Sequence, residues 1–134
     1  MKRMTKQRIE ILKCLSNTGR PLFIEEILSF TITEIPLINL STIYRTIKTL
    51  INEDKIDIIS LPGEKTCYTI KQKGHQHYFV CDGCNKTYFI YKCPQGVSEI
   101  APQGFQVLGH SITLTGFCQE CHTQLHPLKR LSTS

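Results

Sequence analysis

The residues best placed to do chemistry are two cysteine pairs, Cys81-Asp82-Gly83-Cys84 and Cys118-Gln119-Glu120-Cys121, two C-x-x-C knuckles with 33 residues between them. Each follows a short run of β-forming residues, so each offers two sulfurs from a turn at a strand end. Structural zinc takes four such ligands in a tetrahedron, and each knuckle supplies one edge of it. A single C-x-x-C also suits dithiol redox chemistry. Two in one small domain match a closed four-cysteine zinc site better. The remaining cysteines are less directed. Cys14 falls in an apolar helical pattern and reads as buried, whereas Cys67 and Cys93 are each either a small core residue or a metal ligand.

His75 and His77 are one residue apart, so an extended strand points both to one side. Two imidazoles on one side suit a divalent metal; the alternative is a pair of surface histidines beside the zinc site. Asp57 has the same ambiguity as Cys67, a core residue or a further ligand. His110, at the head of a strand, reads as structural, and His122 and His126 fall in a loose tail.

The elements that must position these groups follow from periodicity. Thr5 caps a helix that Met4 and Ile9 staple and that Ile9, Leu12 and Leu15 stripe, with Gly19, Arg20 and Pro21 ending it. Ile24, Ile27 and Leu28 give a second short helix, and Pro36 interrupts the chain before the third. There Leu40, Ile43, Tyr44, Ile47, Leu50 and Ile51 cover an arc of about 120° at helical spacing. Thr42, Arg45, Thr49 and Asn52 take the opposite face. Residues 55–61 and 66–70, around a Pro62-Gly63 turn, read as a hairpin. Three helices and a hairpin make a winged helix-turn-helix. Its third helix enters the major groove by its N-terminal end, which makes Ser41, Thr42, Tyr44 and Arg45 the candidate DNA contacts. A solvated helix face is the other reading of the same pattern. Lys71-Gln72-Lys73-Gly74 is polar and flexible, and the composition then shifts to cysteine, histidine and β-formers. The chain thus divides into a winged-helix domain at 1–72 and a metal-binding domain at 73–134, with strands at 78–80, 87–91, 105–108 and 111–115. The fold class is α+β.

An apolar fraction of 40% and a charged fraction of 20% over 134 residues exclude disorder, and no apolar run approaches a membrane span. The N-terminal residues run straight into a charged amphipathic pattern without the apolar stretch of a signal peptide, which places the protein in the cytoplasm. Thiols there stay reduced, so seven cysteines speak for metal rather than disulfides. The net charge of +5 is uneven: twelve Lys/Arg face eight Asp/Glu through Lys73, and four face three beyond it. That excess favours a polyanion partner.

In this order and at these separations the motifs resemble the ferric uptake regulator (Fur) family over nearly the whole chain. "TKQRIEILKCL" is similar to its opening helix and "LSTIYRTIKTL" to its recognition helix. "HQHYFVCDGCNK" and "HSITLTGFCQEC" are similar to its small α/β dimerisation domain, and "YKCPQGVSEI" is most like the zinc-uptake-regulator (Zur) branch. The resemblance implies a homodimer that, when metal-loaded, binds operators near metal-uptake genes and represses them. It implies that Cys81, Cys84, Cys118 and Cys121 hold a structural zinc and that Tyr44 and Arg45 contact DNA. His75 and His77 match the family's H-x-H pair of a second, regulatory divalent-metal site, for which zinc is favoured. Asp57 falls where some zinc-sensing members place a hinge ligand. Cys67 precedes the wing tyrosine, Tyr68, whereas the family's sensing cysteine follows it. Phe89, Ile90 and Tyr91 occupy the place of the family's acidic ligand, which leaves Cys93 as its replacement. Gly74 and Gln76 stand where a third site would have ligands, and residues 94–104 are short for the family's dimerisation helix, with Pro102 shortening it further.

The expectation is therefore a metal-responsive repressor, with zinc sensed, that binds double-stranded operator DNA as a homodimer away from membranes. The alternatives are an iron- or peroxide-sensing regulator of the same family and a zinc-ribbon adaptor that binds another protein. An enzyme is disfavoured because an open metal position needs a general base nearby, and no carboxylate offers itself for the role.

Overall fold

The computed structural model describes residues 5–125; the expected staple residue Met4 and the tail residue His126 lie outside them. The chain forms two compact units, Met1–Gly74 and His75–Ser134, so the break falls two residues beyond the one expected from composition.

In the first unit, α1 (Lys6–Thr18), α2 (Ile24–Thr31) and α3 (Leu40–Asn52) precede a hairpin of β1 (Ile56–Leu61) and β2 (Lys65–Ile70). Thr5 caps α1 by accepting from the Arg8 N–H at 3.3 Å, and Gly19, at φ 71°, ends it in the left-handed region that glycine enters freely. Asn39 caps α3 in the same way, accepting from the Thr42 N–H at 3.0 Å. The stripes converge on one core of Ile11, Leu15, Ile27, Ile43, Ile47, Leu50 and Ile56. Each such side chain contributes about 1.5 to 3 kcal/mol of burial, which fixes how α3 lies on α1 and α2. Reciprocal backbone bonds between Leu22 and Tyr68, 2.9 and 2.8 Å, tie the α1–α2 connection to the wing. Arg8, buried on α1, pairs with Glu53 just past α3 and locks the two helices end to end.

The second unit is a three-stranded sheet in the order β4-β3-β5, formed by β3 (His77–Cys81), β4 (Thr87–Ile90) and β5 (Thr113–Gly116). β3 and β4 are antiparallel across the first knuckle, while β3 and β5 are parallel, with Tyr78 opposite Thr113 and Cys81 opposite Gly116. A single 3₁₀ turn, Val97–Ile100, is the only helical piece between β4 and β5 among the described residues, in line with the short, proline-limited segment. α4 (Gln119–Leu125) grows out of the second knuckle and includes His122, which corrects the loose-tail reading for that residue. The expected strand at 105–108 does not form. Gly104, at φ 86°, turns the chain just before it. Phe105 and Leu108 are exposed, and without a neighbouring strand to complete a ladder the local β-propensity has nothing to pair with.

Candidate metal centres and nucleic-acid interface

The sheet register puts the two knuckles side by side. Cys81 ends β3, Gly116 lies opposite it on β5, and the Asp82 N–H bonds to the Gly116 carbonyl at 2.6 Å, so Cys118 is delivered to the turn after Cys81. The sulfurs of Cys81, Cys84, Cys118 and Cys121 all lie within 4.8 Å of one another, with Cys84 and Cys118 at 3.9 Å. Cys81, fully buried, accepts backbone N–H bonds from Gly83 (3.3 Å), Cys84 (3.4 Å) and Cys118 (3.3 Å). Burial alone would raise its thiol, but the Cys118, Cys84 and Gly83 amides together pull it down to about 6. The Cys121 amide holds Cys118 below the usual thiol range, whereas a bond to Cys81, then burial, pushes Cys121 up to about 12. Four converging sulfurs with amides aimed at them fit a tetrahedral zinc, and the sequence-predicted quartet is the quartet that meets.

A second cluster lies in the same unit. His75, His77, Cys93 and His110 bring one ligand atom each within 4.8 Å of the others. The Nε2 atoms of His75 and His77 are 3.0 Å apart, and the Cys93 sulfur lies 3.1 Å from His110 Nε2. His77 is buried, and the Ile112 N–H bonded to its Nδ1 at 3.1 Å fixes the ring with Nε2 toward the cluster. Burial, then His75 and His110, lower the pKa of His77, which keeps its imidazole neutral, as a metal requires. His110 was read from sequence as structural; it belongs to this group. Its signal was the strand pairing itself, since Tyr78 opposite Thr113 carries the residues before β5 alongside those before β3.

Two expected members of the regulatory set are engaged elsewhere. Asp57, on β1, accepts from the Gln72 N–H at 2.9 Å and pairs with Lys71 at 3.2 Å. Cys67 is fully buried on β2 opposite Ile59, where it packs as a small apolar residue. Both belong to the first unit, whereas the cluster of four is drawn from the second. Cys14 is half-buried, and burial, then Glu10 and Glu26, push its thiol up to about 11, which leaves it unreactive at neutral pH.

On α3 the buried line is Ile43, Ile47 and Leu50, while Ser41, Tyr44 and Arg45 are exposed and Thr42 is half-exposed. Tyr44, which periodicity placed at the edge of the apolar arc, is turned outward and 49% exposed. Arg45 reaches back along the helix to the Ser41 carbonyl and the Thr42 hydroxyl, both at 3.4 Å. Arg45 and Thr42 line, with Thr5, Arg8, Thr46 and Thr49, a groove of about 240 Å³.

The profile of the ferric uptake regulator family matches residues 1–115, the winged helix-turn-helix and most of the second unit's sheet. The chain belongs to the ferric uptake regulator family. A ferric uptake regulation protein of Synechococcus elongatus is 30% identical over 130 residues, covering 92% of this chain and 88% of that protein. Among solved structures, a zinc-bound manganese uptake regulator superposes with a TM-score of 0.75 at 21% identity, covering 87% of this chain and 91% of that one. A zinc uptake regulator complexed with zinc and DNA gives 0.58 at 23%, covering 93% and 86%. These likenesses establish the α+β Fur-type architecture. Members of the Fur family are metal-responsive transcription regulators and not enzymes, so the catalytic and adaptor readings fall away. No helix among the described residues is long and apolar enough to cross a membrane.

Proposed function

We propose that this Fur-family regulator is a zinc-responsive repressor that binds palindromic operators of metal-uptake genes as a homodimer. The observation that carries the reading is the donor set of the second cluster, three imidazoles and a thiol. Nitrogen and sulfur donors without a carboxylate suit zinc better than ferrous iron or manganese, which favour oxygen-bearing sites. In this reading the four cysteines hold a structural zinc that supplies folding free energy to the second unit, and the histidine-rich cluster holds the ion that is sensed. His75 follows the unit boundary directly, so a metal drawn onto it constrains the first residue beyond the winged helix. Ser41, Thr42, Tyr44 and Arg45 face operator DNA, Arg45 with the guanidinium fork that reads guanine or grips phosphate. The exposed apolar side chains of the second unit, among them Ile100, Phe105 and Leu108, support a second copy of the chain as a partner. The cytoplasm, where thiols remain reduced, is the compartment in which such a site works.

The test is metal analysis of the purified protein combined with footprinting on its own upstream DNA under added zinc or added ferrous iron. Zinc at low free concentration should give a palindromic footprint, and iron should not. The 30% identical relative is named for ferric uptake, which favours an iron-sensing reading. A footprint that follows ferrous iron and ignores zinc would replace the zinc assignment with that one.

A further inference from the structure

The groove of about 240 Å³ on the first unit draws Thr5 and Arg8 from the start of α1 and Thr42, Arg45, Thr46 and Thr49 from α3. Both charged residues of its lining are arginines, and no carboxylate is among them. Arg8 is only 7% exposed and gives its Nη2 to Glu53, which stands outside that lining. Its Nε–H is fully buried and has no hydrogen-bond partner among the described residues. A buried cationic donor without an acceptor is costly, so an acceptor entering the groove is favoured. Arg45 bonds two neutral oxygens of its own helix at 3.4 Å, which leaves most of its five donors available. The start of α1 adds a third source of positive potential. Its first turn holds no acidic residue to offset the helix dipole, and the Lys6 and Gln7 amides have no acceptor within the helix. Thr46 and Thr49 give their hydroxyl protons to the Thr42 and Arg45 carbonyls at 2.8 and 3.1 Å, and so form a small neutral wall.

We propose that this groove grips one backbone phosphate of the bound DNA, held between the first turn of α1, Arg8 and Arg45. The proposal rests on the reading of α3 as the DNA-facing helix and adds α1 to that interface. A phosphodiester brings the negative charge and the several acceptor oxygens that such donors call for. In a helix-turn-helix the first helix crosses the sugar–phosphate backbone while the recognition helix enters the major groove, which is where a cradle shared by α1 and α3 meets a phosphate. The contact fixes register and carries no base information.

The experiment uses the metal-loaded full chain and a duplex from its footprinted upstream DNA, remade with a neutral methylphosphonate at one backbone position at a time. Thr5→Asp and Thr5→Asn keep a side chain that caps α1 and differ from each other in charge. Wild type and Thr5→Asn should lose about tenfold in affinity at one methylphosphonate position per half-site. Thr5→Asp should bind the unmodified duplex about tenfold more weakly, with a salt slope smaller by about one per half-site, and lose nothing more at that position. A full methylphosphonate penalty at every position in Thr5→Asp overturns the phosphate groove while leaving α3 as the DNA-reading helix. Inorganic phosphate that binds the free protein and is lost in Thr5→Asp, beside an unaltered methylphosphonate profile, makes the ligand a free anion and overturns the DNA assignment. A wild-type protein that binds no DNA overturns the regulator reading and the groove with it.

Discussion

Gly83 shows how little room the first knuckle leaves. A Cβ built on it would stand 2.8 Å from the Cys121 sulfur and 2.9 Å from its Cβ, so glycine is needed here for close approach, with no call on a left-handed backbone. Gly83→Ala should displace Cys121 at a cost of about 1 to 3 kcal/mol in overpacking, read as weaker zinc retention in competition with a chelator. Retention equal to wild type would mean that the knuckle relaxes freely. Arg45 makes the corresponding test on the DNA side. Arg45→Ala should leave folding and zinc content unchanged and weaken operator binding by about 1 to 3 kcal/mol per half-site, measured by fluorescence anisotropy. A base contact would show as lost discrimination between operator and scrambled DNA. A phosphate contact would instead lower the salt slope by about one at unchanged discrimination. Full operator affinity would move recognition to other residues.

At the level of elements, β3 is the strand that joins the two centres, with His77 at its start and Cys81 at its end. Its sheet has only three strands, and among the described residues the second unit has few buried apolar side chains, so the four sulfurs must supply much of its stability. Cys118→Ser should therefore lose the retained zinc and unfold the second unit, while the winged helix, with its own core, keeps its helical circular dichroism. Zinc content and a near-ultraviolet spectrum like the wild type in that variant would remove the centre's structural role. The pH dependence has a definite sign. With Cys121 pushed up to about 12, zinc binding at neutral pH must expel at least its proton, so apparent affinity rises with pH. Cys81, at about 6, is already a thiolate at neutral pH, and protons begin to compete for it only as pH falls through that value. Calorimetry in buffers of different ionisation enthalpy should register this release. Binding with no proton exchange would contradict the protonation pattern.

For the whole molecule the question is linkage between the sensed ion and operator DNA. If the ion favours the DNA-competent state, the operator must tighten the ion by the same factor, typically about 5- to 150-fold. Replacing His75 and His77 together with Ala should keep one structural zinc per chain and a normal dimer, yet abolish the dependence of operator affinity on added zinc. His110→Ala should behave alike, since its Nε2 faces the Cys93 sulfur, whereas Asp57→Asn, whose carboxylate serves Lys71 and the Gln72 amide, should keep the response. A zinc response that survives His110→Ala but not Asp57→Asn would reverse the assignment of the sensing site.

The winged helix and the two knuckles were legible in the sequence because each is written in local spacing: a 3.6-residue stripe, a proline–glycine turn, C-x-x-C. Local signals also made Tyr44 and Arg45 candidates, although periodicity alone left Tyr44 between core and surface until packing of Ile43 and Ile47 turned it outward. The composition of the second cluster was not local. His77 and Ile112, 35 residues apart, are brought into contact by a parallel pairing of β3 with β5 that no residue in either strand announces. That pairing made a cluster member of His110, which read as structural, and placed it against Cys93. The same dependence on a partner strand withheld regular structure from residues 105–108 and gave Asp57 and Cys67 their places in the wing. Side-chain chemistry and short-range period belong to the sequence, and which distant groups meet depends on strand order and register, which only the folded sheet decides.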